Sequence, residues 1–84
     1  MTNGDWLVVE WWDIRSLAGW QDPSKLPPCA LCVTTGYLVL LDDNELRVAA
    51  TRVTNPMQGE TDTVSDTSTI PIGAVKQIWL VTEE

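Results

Sequence analysis

Two cysteines stand three positions apart, at Cys29 and Cys32, and form a CxxC pair in this 84-residue chain. Such a pair can act as a redox couple or supply half of a four-cysteine zinc site. The chain has no histidine and no second CxxC, so zinc would require the same pair from another copy. Because the motif opens a strand-like apolar stretch, we favour two small apolar residues kept reduced in a cytosol. The redox and shared-zinc interpretations stay open as alternatives.

Five tryptophans are many for so short a chain, and a small core cannot bury all of them. Most are expected to form the core or to make contacts between copies. Exposed aromatic side chains are typical of partner-binding hot spots and of platforms on which bases stack. Trp12 follows Trp11 directly, so one of the two must face away from the core, and Trp20 lies in a long loop. Trp12 and Trp20 are therefore the candidate partner-binding residues.

Carboxylates are the remaining groups that could bind a cation or act in acid–base catalysis. The candidates lie near predicted turns and strand ends: Asp13, Asp22, Asp42, Asp43 and Glu45. Their spacing matches no known cation-binding loop, and we interpret them as turn formers and a solvated rim. Since the chain also lacks histidine and a glycine-rich phosphate loop, we predict a non-enzymatic protein with no catalytic residues, no cofactor and no metal.

Apolar alternation predicts the strands that position these residues, and a hairpin from Cys29 to Val53 is central. Its turn is predicted near Asp43 and Asn44, because Asp and Asn favour turns. The other predicted elements are a strand over 5–14, a loop over 15–28 with a helical turn near 16–20, an exposed mobile polar loop over 55–69, a short strand over 68–72, a tight turn, and a last strand over 74–81.

The predicted strands carry large apolar groups on both faces, whereas a half-buried strand should alternate apolar and polar residues. Gly36 in mid-strand indicates a sharp bend, which is how a small sheet curls into a barrel. We therefore predict one domain over 1–84, an all-β, five-stranded SH3-like barrel. Such a small chain buries only about 60% of its unfolded surface, so self-association is a common remedy. Tyr37, Val39 and Trp79 are the candidate self-assembly residues.

The charge balance is strongly acidic, with twelve acidic and five basic residues and a formal net charge of −7. Nucleic-acid binding usually rests on Lys and Arg contacts to phosphates, so this balance argues against it. An acidic surface suits solubility, a protein partner or mimicry of nucleic acid. The sequence has no basic-then-apolar leader, and no apolar run approaches the ~18 residues that span a bilayer. We therefore predict a cytoplasmic protein without a membrane partner.

Several short motifs resemble those of small uncharacterised bacteriophage proteins whose barrels look like the Sm-like superfamily. These motifs are Trp11-Trp12-Asp13 with Gly19-Trp20, Thr35 to Val39, Leu46 with Ala49, and Ile70 to Ile78. The resemblance covers nearly the whole chain except 55–69. It implies an Sm-like or SH3-like barrel, a phage origin with a host-cytoplasm location, and ring-like assembly.

The comparison with the Sm signature also reveals departures. Gly36 to Leu38, followed by Asp42, is similar to the first Sm motif, and Ile70 to Ile78 is similar to the second. Sm proteins contact RNA bases through an Asn late in the first motif and an Arg before the Gly of the second. The matching positions here are Leu46 and Ile72, so the resemblance implies the barrel and its assembly but not RNA binding.

Two functional hypotheses follow. The first is a non-enzymatic phage-type Sm-like barrel that self-assembles into a homo-oligomer and binds a host or phage protein. The alternative is a barrel that binds RNA or a small nucleotide at subunit interfaces by stacking on Trp. The acidic charge and the missing Asn and Arg favour the first hypothesis.

Overall fold

The computed structural model describes residues 1–53, 55, 57–58 and 63–82. These residues form an all-β fold of five antiparallel strands in one sheet, with no α-helix among them. The strands are β1 (Trp6–Asp13), β2 (Ala30–Leu41), β3 (Glu45–Arg52), β4 (Val64–Pro71) and β5 (Val75–Leu80). Single 3₁₀ turns precede β2, at Pro23–Lys25, and β5, at Ile72–Ala74. The predicted all-β class is confirmed.

The strand order across the sheet is β4-β3-β2-β1-β5. The 12-residue strand β2 serves two ladders, because it pairs with β1 from Ala30 to Tyr37 and with β3 from Tyr37 to Leu41. Within the described residues β4 pairs only with β3, and β5 only with β1. The sheet described by these residues is therefore open, and the predicted closure into a barrel is not confirmed.

Gly36 lies where β2 passes from one ladder to the other. A Cβ atom at this position would stand 2.8 Å from the backbone carbonyl oxygen of Ala49 on β3. Real Cβ atoms essentially never come so close to another heavy atom, so a side chain here would force the two strands apart. Glycine in a strand often marks such a close approach of backbones. The glycine thus lets β2 and β3 meet just beyond the β1 ladder.

The hydrophobic core lies on one face of the sheet. Its buried members are aliphatic and come from four strands: Leu7, Val9, Leu38, Leu46, Val48 and Ile70. Trp11, Ala74, Val75 and Ile78 pack around this cluster and are only partly buried. None of the five tryptophans is fully buried. The core is therefore built from branched aliphatic side chains. Of the prediction that most tryptophans form the core or make contacts between copies, the core part is not confirmed and the contacts between copies are untested.

The β2–β3 turn is held by one carboxylate. Asp42 Oδ1 accepts hydrogen bonds from the backbone N–H groups of Asn44 and Glu45, each at 2.8 Å. These bonds favour the ionised form and hold the pKa of Asp42 below its usual value. The predicted hairpin turn is confirmed, and Asp42 has the structural role expected of a turn former.

The prediction of a polar loop over 55–69, with regular pairing only at its ends, and a short strand over 68–72 is partly confirmed, because β4 occupies 64–71 and so begins four residues before the predicted strand. This strand pairs with β3 from Arg52 opposite Val64 to Glu45 opposite Pro71. Of its side chains only that of Ile70 is buried, which is why the stretch lacks an apolar pattern. Residues 54, 56 and 59–62 of the predicted loop lie outside the described residues.

The helical turn predicted near 16–20 is wrong. The turn in this loop is the 3₁₀ segment Pro23–Lys25. Asp22 caps it, because its Oδ1 accepts from the backbone N–H of Ser24 at 3.0 Å and from the Ser24 hydroxyl at 2.8 Å. Proline at the first position of the turn needs no hydrogen-bond partner for its nitrogen. Cap and proline together place the turn at Pro23–Lys25, so that it starts seven residues and ends five residues later than predicted.

Candidate interaction surface

The sheet carries a second apolar surface, on the side opposite the core. Residues directly opposite each other on antiparallel strands share a face. On β1, Trp6 is paired with Tyr37, and Val8 lies between Thr35 on β2 and Trp79 on β5. We call the following residues the outer face: Trp6, Val8, Trp12, Leu31, Val33, Tyr37, Trp79 and Val81. They form an apolar surface on three strands, which is interrupted by the polar residues that share the face, Glu10, Thr35 and Gln77.

Much of the outer face is open to solvent. Val33 is 62% exposed, Trp12 44% and Trp79 41%. At the other end the rings of Trp6 and Tyr37 meet edge to face, with centroids 4.7 Å apart and planes at 80°. Aromatic pairs prefer this geometry, which restrains both rings. The surface thus combines a fixed aromatic pair with exposed side chains that a partner could cover.

A charged pair crosses the outer face. Lys76 Nζ lies 3.2 Å from Glu10 Oε1 and 5.6 Å from the centroid of the Trp12 ring. The carboxylate offsets the positive charge, and the cation attracts the ring through its quadrupole. This arrangement restrains the Trp12 ring and leaves the surface with no net local charge. A partner that fits here is therefore mainly apolar.

The candidate partner-binding residues occupy separate parts of the molecule. Trp12 lies on the outer face, whereas Trp20 lies on the β1–β2 connection and is 103% exposed, so none of the described residues covers it. We call residues 14–29 the arm. Every residue from Ile14 to Leu26 in the arm is exposed. Sequence reasoning found both tryptophans but not their separation, since that depends on the path of the arm.

The candidate self-assembly residues are only partly brought together. Tyr37 and Trp79 lie on the outer face, but Val39 lies at the register shift between Leu38 and Leu40. Together with Tyr37 it lines a cavity of about 140 Å³, whose walls are Asn3, Gly4, Tyr37, Leu38, Val39, Arg52 and Val64. Five outer-face residues were missed as candidates: Trp6, Val8, Leu31, Val33 and Val81. Two-residue spacing from Tyr37 points to Leu31 and Val33, whereas Val81 is placed by pairing with Trp6.

The two cysteines lie at the base of the arm and are both free thiols. Cys29 is exposed and precedes β2, while Cys32 is half-buried in β2 opposite Trp11. Among the described residues no group of three or more His, Cys, Asp and Glu side chains could hold a metal ion. The redox and shared-zinc hypotheses stay untested, as do the roles of Trp12 and Trp20.

The two positions that match the RNA-contacting residues of Sm proteins are apolar and serve the fold. Leu46 is completely buried in the core. Ile72 is half-buried, and its backbone N–H donates to the carbonyl oxygen of Asn44 at 2.9 Å, which joins the two turns at this end of the sheet. Neither side chain can hydrogen-bond a base. The nucleotide-binding alternative therefore gains no support from these positions.

Comparisons with protein-family models, with curated proteins and with solved structures find no match for this chain. They neither support nor contradict the resemblance to phage Sm-like proteins, which remains an expectation. Among the described residues no helix has the length and apolar character needed to cross a bilayer.

Proposed function

We propose that this protein is a non-enzymatic Sm-like barrel of the bacteriophage type that self-assembles and serves as a protein-interaction module in the host cytoplasm. The exposed apolar outer face is the observation that carries this proposal. Soluble monomers rarely expose contiguous apolar patches larger than a few hundred Å², and larger patches mark interaction sites. Trp12, Val33 and Trp79 lie on β1, β2 and β5, so the surface extends over three neighbouring strands of the five.

Apolar burial alone gives only a modest driving force for association. Covering a typical interaction patch of about 300 Å² contributes about 7 kcal/mol at ~25 cal/mol per Å². Association costs an estimated 4–15 kcal/mol in lost freedom of motion, so this contribution is barely sufficient. A stable assembly therefore needs a further contact region besides the outer face.

The two edge strands offer that further region. In the described part of the chain, β4 and β5 each have one unpaired edge, and unpaired edges tend to pair with another chain. The 3₁₀ turn at Ile72–Ala74 separates these strands, and the order β4-β3-β2-β1-β5 keeps them at opposite sides of the sheet. Pairing of β4 with the β5 of a neighbouring copy would extend the sheet around a ring. The strand order and the open edges thus support the Sm-like assembly that the resemblance implies.

The test is the solution mass of the 9.3 kDa chain, measured by light scattering after size-exclusion chromatography in reductant. We expect a defined multiple of that mass. Val33→Lys places a charge in the middle of the outer face and should reduce the mass toward that of one chain. Thr51→Lys introduces the same side chain at an exposed β3 position outside the outer face, and should leave the mass unchanged.

The net charge affects both variants in the same way. An added lysine makes the net charge of −7 less negative and so weakens electrostatic repulsion between copies in Val33→Lys and in Thr51→Lys alike. A smaller mass for Val33→Lys alone would therefore report the loss of apolar contact. A monomeric wild-type protein would overturn self-assembly, and a Val33→Lys protein that keeps the full mass would overturn the role of the outer face.

A further inference from the structure

The arm presents apolar side chains that nothing in the described chain covers. Trp20 is 103% exposed and Ile14 79%, and Leu17 and Leu26 are exposed as well. A tryptophan side chain can remove about 150–250 Å² from water when it is buried. The arm therefore exposes several anchors of the kind that protein interfaces bury.

Local contacts hold the arm in shape without help from the sheet. Gly19 has a φ of +85°, a left-handed conformation that favours glycine, and so it turns the chain directly before Trp20. Gln21 Nε2 donates to the carbonyl oxygen of Ala18 at 3.0 Å, and the Asp22 cap follows. The hydrogen bond between Gln21 and Ala18 therefore spans Trp20, and the Asp22 cap fixes the chain that follows it. Such preorganisation lowers the entropy lost when a segment binds.

Charge distinguishes the arm from the rest of the chain. Arg15 and Lys25 against Asp22 give the arm a formal charge of +1. Since the whole chain carries −7, the remaining residues carry −8. The arm therefore has a small positive charge on an acidic protein, which favours its approach to another copy as a whole, whereas the outer face itself has no net local charge and is matched by the apolar side chains of the arm. Opposite charges steer two molecules toward each other. The positive arm of one copy is therefore attracted to the acidic remainder of a second copy more than to a basic or neutral protein.

The arm begins and ends beside the outer face. The arm leaves the sheet after Asp13 and returns at Ala30, the last rung of the β1–β2 ladder. Trp12 and Leu31 form the preceding rung, so arm and outer face lie side by side. Each copy thus offers one arm and one apolar surface beside it.

We propose that the arm of one copy docks on the outer face of a second copy, with Trp20 packed against Val33 and Trp79. The acidic body and the apolar face of the second copy match the basic charge and the apolar anchors of the arm. Because each chain supplies one arm and one face, the exchange can be reciprocal in a dimer or continue around a ring. This inference rests on the proposed self-assembly and names the contact that makes it.

The experiment is photocrosslinking of the full-length chain with p-benzoylphenylalanine in place of Trp20. Irradiation is expected to give a covalent species of twice the 9.3 kDa chain mass. Mass spectrometry of its peptides should place the adduct on residues 31–33 or on Trp79. Adducts confined to a single chain would overturn the proposal, because they would show that the arm folds back on its own sheet. Adducts on any other surface of the second chain would overturn it equally.

Measurements of solution mass distinguish docking of the arm from the broader proposal that the protein self-assembles through its outer face. Trp20→Ser should reduce the assembly toward single chains, whereas the conservative Trp20→Phe should retain it. None of the described residues covers Trp20, so folding is not expected to change, and far-ultraviolet circular dichroism checks this. If Trp20→Ser keeps the wild-type mass while Val33→Lys loses it, arm docking is wrong and self-assembly through the outer face stands. A monomeric wild type would overturn both.

Discussion

Replacement of Gly36 by alanine tests whether the close approach of β2 and β3 is a requirement of the fold. The new Cβ would lie 2.8 Å from the Ala49 carbonyl oxygen and 3.1 Å from its carbonyl carbon. Both are backbone atoms of a central strand, so they can move only if the strand moves. A rotation of a flexible side chain cannot relieve this clash.

Two opposing effects determine how much Gly36→Ala changes the free energy of unfolding. Overpacking of a well-packed site costs about 1–3 kcal/mol. Alanine for glycine also lowers the entropy of the unfolded chain, which stabilises by about 0.4–1 kcal/mol. Gly36→Ala should therefore lower the free energy of unfolding by about 1–2 kcal/mol. For a domain of this size that corresponds to a Tm lower by roughly 4–16 °C.

The assay is urea denaturation followed by circular dichroism, at one protein concentration because self-association makes stability concentration-dependent. Gly73→Ala is the matched control, since a Cβ there would meet no atom within 4 Å. We expect the control to stay within about 0.5 kcal/mol of wild type, as surface substitutions usually do. Equal stability of Gly36→Ala and Gly73→Ala would refute the close-approach argument.

Two further predictions concern the core and the hairpin turn. Leu46 is completely buried, so Leu46→Ala should lower the free energy of unfolding by about 2–5 kcal/mol in urea titrations, whereas a change below about 1 kcal/mol would contradict its placement in the core. Asp42 has a lowered pKa because it accepts from the backbone N–H groups of Asn44 and Glu45. Its stabilising effect is therefore complete above the unfolded pKa of about 3.9 and is lost as pH falls through the lower folded pKa. Asp42→Asn should flatten the decline of stability below about pH 4 in acid titrations, and an unchanged pH profile would count against the turn bonds.

Most strands were predictable because their signals are local. β1, β2, β3 and β5 alternate or run apolar, and the Asp42–Asn44 turn carries its own hydrogen-bonding groups. Their observed bounds lie within one residue of the predicted ones. Gly36 was recognised as a bend, although its contact with Ala49 could not be derived from sequence neighbours. Period-two patterning and turn chemistry need only a few adjacent residues, which explains this agreement.

β4 was predictable only at its end. Apart from Ile70, its side chains do not enter the core, and Asp66 adopts a left-handed φ of 54° within it. The strand exists because its backbone forms a ladder with β3, and backbone hydrogen bonds leave no mark on an amino-acid pattern. The amino-acid pattern therefore predicted a polar loop where backbone pairing with β3 forms most of β4.

The outer face shows the same division between local and long-range information. Apolar residues on both faces of β1 and β2 could be read from alternation, and with them the expectation of a covered or interacting surface. Which side chains meet there depends on strand register. The shift between Glu10 and Trp11 in the β1–β5 ladder accompanies the contact of Lys76 with Trp12, while the path of the arm leaves Trp20 apart. Register and loop path result from contacts between distant parts of the chain, so the three-dimensional packing was needed to define the surface.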